Sequence, residues 1–203
     1  MSRNLYDWFG INQQLFILIN KIHTPILDQF MLLVTSLGHP RLYPFYIAAA
    51  MLLMWLRPSL MPQRNVVTFA LSYVVTSIYF VPLLKSLLNF PRPLSLLGEQ
   101  NVTILGNPDA VHSFPSGHSA FVILMAASLV PGIPRAGQFS LIIFALLVCV
   151  SRVFVGAHFP ADIAGSLVLA LAVVFSVRSI IVPVKEATPD NIEVADSQKR
   201  GQK

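Results

Sequence analysis

The sequence predicts an all-α fold, a polytopic membrane helical bundle of about six transmembrane helices with an N-terminal interfacial helix. Three observations carry this. Hydrophobic residues make up 55% of the 203 residues and charged residues only 11%, whereas soluble domains carry about 25% charged residues. Apolar runs close to the roughly 20 residues that cross a bilayer core recur along the chain. The basic residues gather beside alternate ends of those runs, the positive-inside distribution of a membrane protein.

Residues 4–21 ("NLYDWFGINQQLFILINK") mix polar side chains with Trp8, Phe9, Leu15, Phe16 and Ile19, which suits a helix lying in the interface. No positive start, apolar centre and small-residue cleavage site follow in order, so the segment does not read as a cleavable signal peptide. Residues 24–38 form a short span carrying Asp28; 42–57, 66–84, 117–131, 138–152 and 159–182 form the other five. One membrane domain, 1–184, is expected to be followed by a disordered polar tail, 185–203. The single cysteine, Cys149, excludes an internal disulfide and reads as a small buried hydrophobe.

A net charge of +5 is compatible with a nucleic-acid partner, but its distribution is not. Arg57, Arg64, Arg135, Arg178, Lys185, Lys199, Arg200 and Lys203 flank the spans on the side that alternation makes cytoplasmic. No nucleic-acid partner and no obligate protein partner is expected.

If the spans alternate, four of their ends share the other face. "KSLLNFPRP" (85–93), "PSGH" (115–118), Ser151-Arg152 and "HFPAD" (158–162) all fall there. Ionisable residues at membrane depth are costly and so are functional candidates. Lys85 and Arg92 are cations near a span end; anchoring or snorkelling is the alternative reading for each. Ser116, Gly117 and His118 open a helix, where free N–H groups bind anions, although Ser116 alone reads equally well as an ordinary N-cap. His158 and Asp162 are four residues apart, which places them on one helical face if the last helix has begun by His158. A carboxylate so placed holds one imidazole nitrogen and leaves the other basic, as a nucleophile or base requires. Helix capping by His158 is the alternative. His112 reads as a solvated loop histidine, and His23 and His39 carry no assignment. Near this face only Glu99, Asp109 and Asp162 are acidic, too few for a two-metal phosphatase, so neither metal nor cofactor is expected.

With the three segments in order, "KSLLNFPRP", "PSGH" and "SRVFVGAHFPAD" (151–162), the chain resembles the type 2 phosphatidic acid phosphatase (PAP2) family of membrane lipid phosphatases. That family shares its site with the vanadium haloperoxidases. The resemblance covers roughly 25–182, and no motif position departs from the pattern. It implies that His158 forms a phosphohistidine, Asp162 orients it, and His118 protonates the leaving oxygen. It further implies that Lys85, Arg92, Arg152, Ser116 and the Gly117 amide hold the phosphoryl oxygens. The implied activity is removal of a terminal phosphate from a lipid phosphate or diphosphate, with undecaprenyl diphosphate the leading substrate. Phosphatidylglycerol phosphate, phosphatidic acid, the 1-phosphate of lipid A and lipid-to-lipid phosphotransfer are the alternatives, and a non-catalytic phosphate-binding membrane protein is a remote one. The expected location is a bacterial inner (plasma) membrane, with the site facing the periplasm or exterior.

Two expectations are measurable. Hydrolysis should survive excess EDTA and be inhibited by vanadate; loss to EDTA reversed only by Mg²⁺ would refute the metal-free reading. In a Cys149→Ser background, Asn101→Cys should react with an impermeant maleimide in intact cells, given access through any outer membrane. Labelling only after lysis would reverse the topology.

Overall fold

The computed structural model describes residues 6–106 and 112–181, and among these every regular element is helical. The expected tail at 185–203 lies outside the described residues, as do the first two residues of the expected interfacial helix and Asp109. A short turn, Trp8–Gly10, leads into α1 (Ile11–Asn20), α2 (Pro25–Leu37) and α3 (Tyr43–Leu56). Next come α4 (Gln63–Tyr73), a π-helical stretch (Val74–Phe80), α5 (Val81–Leu88) and the short α6 (Pro93–Leu97). The chain ends in α7 (Gly117–Leu129), α8 (Arg135–Phe154) and α9 (Pro160–Ile180).

The helix starts are written locally. Thr24 caps α2 by accepting the Leu27 N–H at 3.3 Å, with Pro25 in the first helical position. Ser116 caps α7 through the Ser119 N–H at 3.4 Å. Pro160 opens α9, and Asp162 reaches back to the Phe159 N–H at 2.9 Å, the return half of a capping box. Pro82 has no N–H to continue the α ladder, and the π-helical stretch immediately precedes it.

Gln63–Leu97, Arg135–Phe154 and Pro160–Ile180 are long and apolar enough to cross a membrane. A fourth span results if the bent pair Trp8–Asn20 and Pro25–Leu37, at 118° to each other, is taken as one. Among the described residues, three or four candidate spans therefore stand against the six expected from apolar runs. The shortfall has a plain cause: the runs include residues that cap and turn. Helix α7 keeps only 13 residues, ~20 Å at 1.5 Å per residue.

Helix α7 is apolar all round, and such a helix belongs at the centre. Ala120, Phe121, Val122 and Leu124 are completely buried, packed with Phe69 of α4, Val148 of α8, and Ala170 and Val174 of α9. The outer helices do the reverse. Phe139, Ile143, Leu146 and Val150 on α8, and Val168, Leu171 and Phe175 on α9, are exposed at spacings of three and four residues. These are continuous apolar stripes of the kind that lipid tails cover. Helix α1 turns Asn12, Phe16 and Asn20 inward and leaves Ile11, Leu15 and Leu18 exposed. Its polar face therefore meets protein.

One close approach sets the spacing of α9 against the loop before α7. A Cβ on Gly165 would overlap the Phe114 ring. Gly165→Ala should therefore lower the thermal unfolding temperature in detergent, at a cost of about 1–3 kcal/mol, and Phe114→Leu should recover part of it. Unchanged stability would mean that the ring has room to move.

Candidate active site

The site is built where α8 ends, α9 begins and α7 starts. Arg152 sits in the last turn of α8, and its carbonyl accepts both the Ala157 N–H (3.1 Å) and the His158 N–H (3.2 Å). The turn between needs Gly156, whose φ is +77° and where a Cβ would meet the Thr103 carbonyl oxygen at 2.5 Å. This clasp fixes the backbone of His158 before α9 has begun.

Asp162 is fully buried and accepts four hydrogen bonds. Oδ2 takes His158 Nδ1 at 3.2 Å, the Phe159 N–H at 2.9 Å and Ser113 Oγ at 2.5 Å. Oδ1 takes the Tyr6 hydroxyl at 2.6 Å. With Nδ1 donating to a carboxylate, Nε2 is the basic nitrogen of His158. Burial drives the pKa of His158 down to about 4; hydrogen bonding and the charge of Asp162 oppose the shift, and Arg152 and Arg92 add to it. The imidazole is neutral at physiological pH, the form in which it can attack.

Of the expected phosphate ligands, Arg152 and Arg92 act electrostatically on His158. Arg92 is buried and donates to the Ala157 carbonyl at 3.2 Å. Arg152 donates from Nη1 to Thr35 Oγ1 at 2.6 Å, while its buried Nε has no hydrogen-bond partner. The Ser116 N–H bonds the Asp162 carbonyl at 3.4 Å. Ser166 Oγ contacts the Ser116 carbonyl at 2.9 Å and the Asp162 carbonyl at 2.7 Å, stitching the start of α7 to α9. Packing does not demand glycine at 117, because a Cβ there would meet only Val81 Cγ1 at 3.8 Å. His118 lies within electrostatic range of Arg152, His158 and Lys85, and its ring meets that of His39 edge-on at 4.8 Å. The Lys85 ammonium donates to the His112 carbonyl at 2.7 Å, and His112 Nδ1 lies 3.1 Å from the Lys85 carbonyl. Exposed His112 thus braces Lys85.

Sequence reasoning missed Tyr6, Ser113, Thr35 and His39. Ser113 had a signal, since it immediately precedes "FPSGH". Tyr6 had none, being 156 residues from the carboxylate it touches.

The chain is similar in sequence and fold to known membrane phosphatases. A family profile described as the PAP2 superfamily matches residues 65–185. An undecaprenyl-diphosphatase of Sulfolobus acidocaldarius is 31% identical over 76% of this chain and 70% of its own length. The undecaprenyl-diphosphatase BcrC of Bacillus subtilis is 27% identical over 81% of each. The crystal structure of Aquifex aeolicus LpxE superposes with a TM-score of 0.71 at 27% identity, covering 83% of this chain and 95% of that one. A transmembrane PAP2-type phosphatidylglycerolphosphate phosphatase from Bacillus subtilis shares the fold, with a TM-score of 0.65 at 24% identity over 85% and 89% of the two chains. The family match spans more than half of the chain and encloses every motif residue from Lys85 to Asp162, so the chain belongs to the PAP2 superfamily of phosphatases.

Proposed function

We propose that this membrane phosphatase removes the terminal phosphate of undecaprenyl diphosphate through a phosphohistidine on His158. The observation that carries the chemistry is the buried His158–Asp162 pair with Arg92 and Arg152 beside it. The substrate follows from the two curated relatives, both named undecaprenyl-diphosphatases. Residues 1–184 act as one membrane domain of about six transmembrane helices in this reading, α1 lying in the interface and the tail following. The basic flanks support a plasma-membrane orientation with the site outside.

In this reading Arg92, Arg152, Lys85, Ser116 and the Gly117 amide bind the phosphoryl oxygens and offset the charge that develops on them. His158 Nε2 attacks phosphorus as the bond to the bridging oxygen breaks, and His118 gives that oxygen a proton. Water then attacks the phosphohistidine, His118 takes its proton, and inorganic phosphate leaves with His158 restored. Among the described residues no three His, Cys, Asp or Glu side chains gather into a metal-binding group. Both oxygens of Asp162 are already taken by hydrogen-bond donors, which supports a metal-independent reaction.

Rapid-quench labelling with ³²P substrate tests the roles. His158→Ala should form no phosphoenzyme, while wild type should give acid-labile, base-stable label. His118→Ala should be slowed by about 10²–10⁴-fold, yet recover phosphoenzyme formation on an aryl phosphate, whose leaving group needs no proton. Asp162→Asn should fold but lose orders of magnitude in rate. Label that persists in His158→Ala and vanishes in His118→Ala would exchange the two roles.

A further inference from the structure

We propose that Tyr6 and Ser113 are positioning residues for His158: they fix the two oxygens of Asp162, so that its Oδ2 meets Nδ1 and Nε2 is left for phosphorus. This rests on His158 as the nucleophile. Tyr6 belongs to the segment before α1, well outside the region matched by the family, and Ser113 lies just before "FPSGH".

Both hydroxyls are themselves held in place. The Tyr6 ring stacks on Phe90 at 4.1 Å with 6° between planes, and meets Phe114 and Phe159 edge-on at 6.2 and 6.3 Å. The Tyr6 carbonyl accepts Asn12 Nδ2 at 3.2 Å, and Asn12 Oδ1 accepts the Ala161 N–H at 2.9 Å. The chain before α1 is thereby registered on the first turn of α9, one residue from Asp162. Ser113 is completely buried, and its N–H donates to the Phe90 carbonyl at 2.9 Å. Its Oγ also lies 3.5 Å from His158 Nδ1. Burial and the charge of Asp162 push the Tyr6 pKa up, so the phenol stays protonated and donates.

A carboxylate held by His158 and Phe159 alone could rotate about its Cβ–Cγ bond and carry the imidazole with it. Tyr6 on Oδ1 and Ser113 on Oδ2 remove that freedom. They also draw part of the negative charge away from Nδ1. The charged groups acting on His158 are Asp162 from α9, Arg152 from α8 and Arg92 from the loop before α6, with His118 from α7 also in range. Losing the Tyr6 donor leaves more of the Asp162 charge for the imidazolium. That raises the His158 pKa, so the neutral nucleophile appears only at higher pH.

The experiment uses the full chain in detergent, with an aryl phosphate and with undecaprenyl diphosphate. Tyr6→Phe keeps the ring and its stacking and removes one charge-assisted donor. It should lower kcat by roughly 10-fold or more at little-changed KM, and move the acid limb of kcat/KM to higher pH. Ser113→Ala should lower kcat similarly, and the double variant should lose less than the product of the two. Unchanged kcat and an unmoved acid limb in Tyr6→Phe, in an enzyme that still requires His158, would overturn the inference alone. So would a kcat loss explained wholly by a lower unfolding temperature with the limb unmoved. Phosphoenzyme persisting in His158→Ala would overturn the nucleophile and this inference together.

Discussion

A carboxylate without water is the constraint on which the rest of this site depends. Burying an ionised side chain is expensive unless hydrogen bonds replace its hydration. Asp162 obtains four, from Tyr6, Ser113, His158 and Phe159. The donors come from three segments far apart in sequence: the chain before α1, the loop before α7 and the turn before α9. The requirement that keeps this charge tolerable therefore also brings those segments to one point. Stability and the orientation of His158 are consequences of the same bonds.

The cations around the pair have the opposite problem. Arg92 and Arg152 lie close enough to repel one another and His158. Arg152 leaves its buried Nε without a partner. An orphaned buried donor costs about 1–3 kcal/mol, and the starts of α7 and α9 add their helix dipoles to the same region. In the proposed reaction a phosphoryl group would meet the Arg152 donor and both cations, most strongly in the transition state, where negative charge is greatest.

The motif residues were legible because each sits at a helix end whose local signals are strong. Pro160 and Asp162 mark the start of α9 and Ser116 marks α7; His158 lies before α9, so it meets Asp162 not on a shared helical face but because the carboxylate reaches back from the first turn. Span count was less legible, because hydropathy does not separate the apolar residues of a helix from those that cap it; α7 shows this by stopping at Leu129. The inward face of α1 was illegible for a different reason. Asn12, Asn20 and Tyr6 look like solvent-facing residues of an interfacial segment, but they are buried against protein while Ile11, Leu15 and Leu18 are exposed. Only the positions of their distant partners, Ala161, Thr103, Phe154 and Asp162, reveal that the polar side points inward.

Those partners define what the N-terminal helices contribute. The motif chemistry lies wholly within 65–185, yet Thr35 holds Arg152, His39 packs against His118, and Asn20 ties the Thr103 backbone to the Phe154 carbonyl. Each tie is modest, about 0.5–1.5 kcal/mol for a typical hydrogen bond. A slide of α1 or α2 would break several such bonds together. The first two helices therefore act as a rigid brace. The motif residues can be specified by short segments because their aim is set by polar contacts that come from outside those segments.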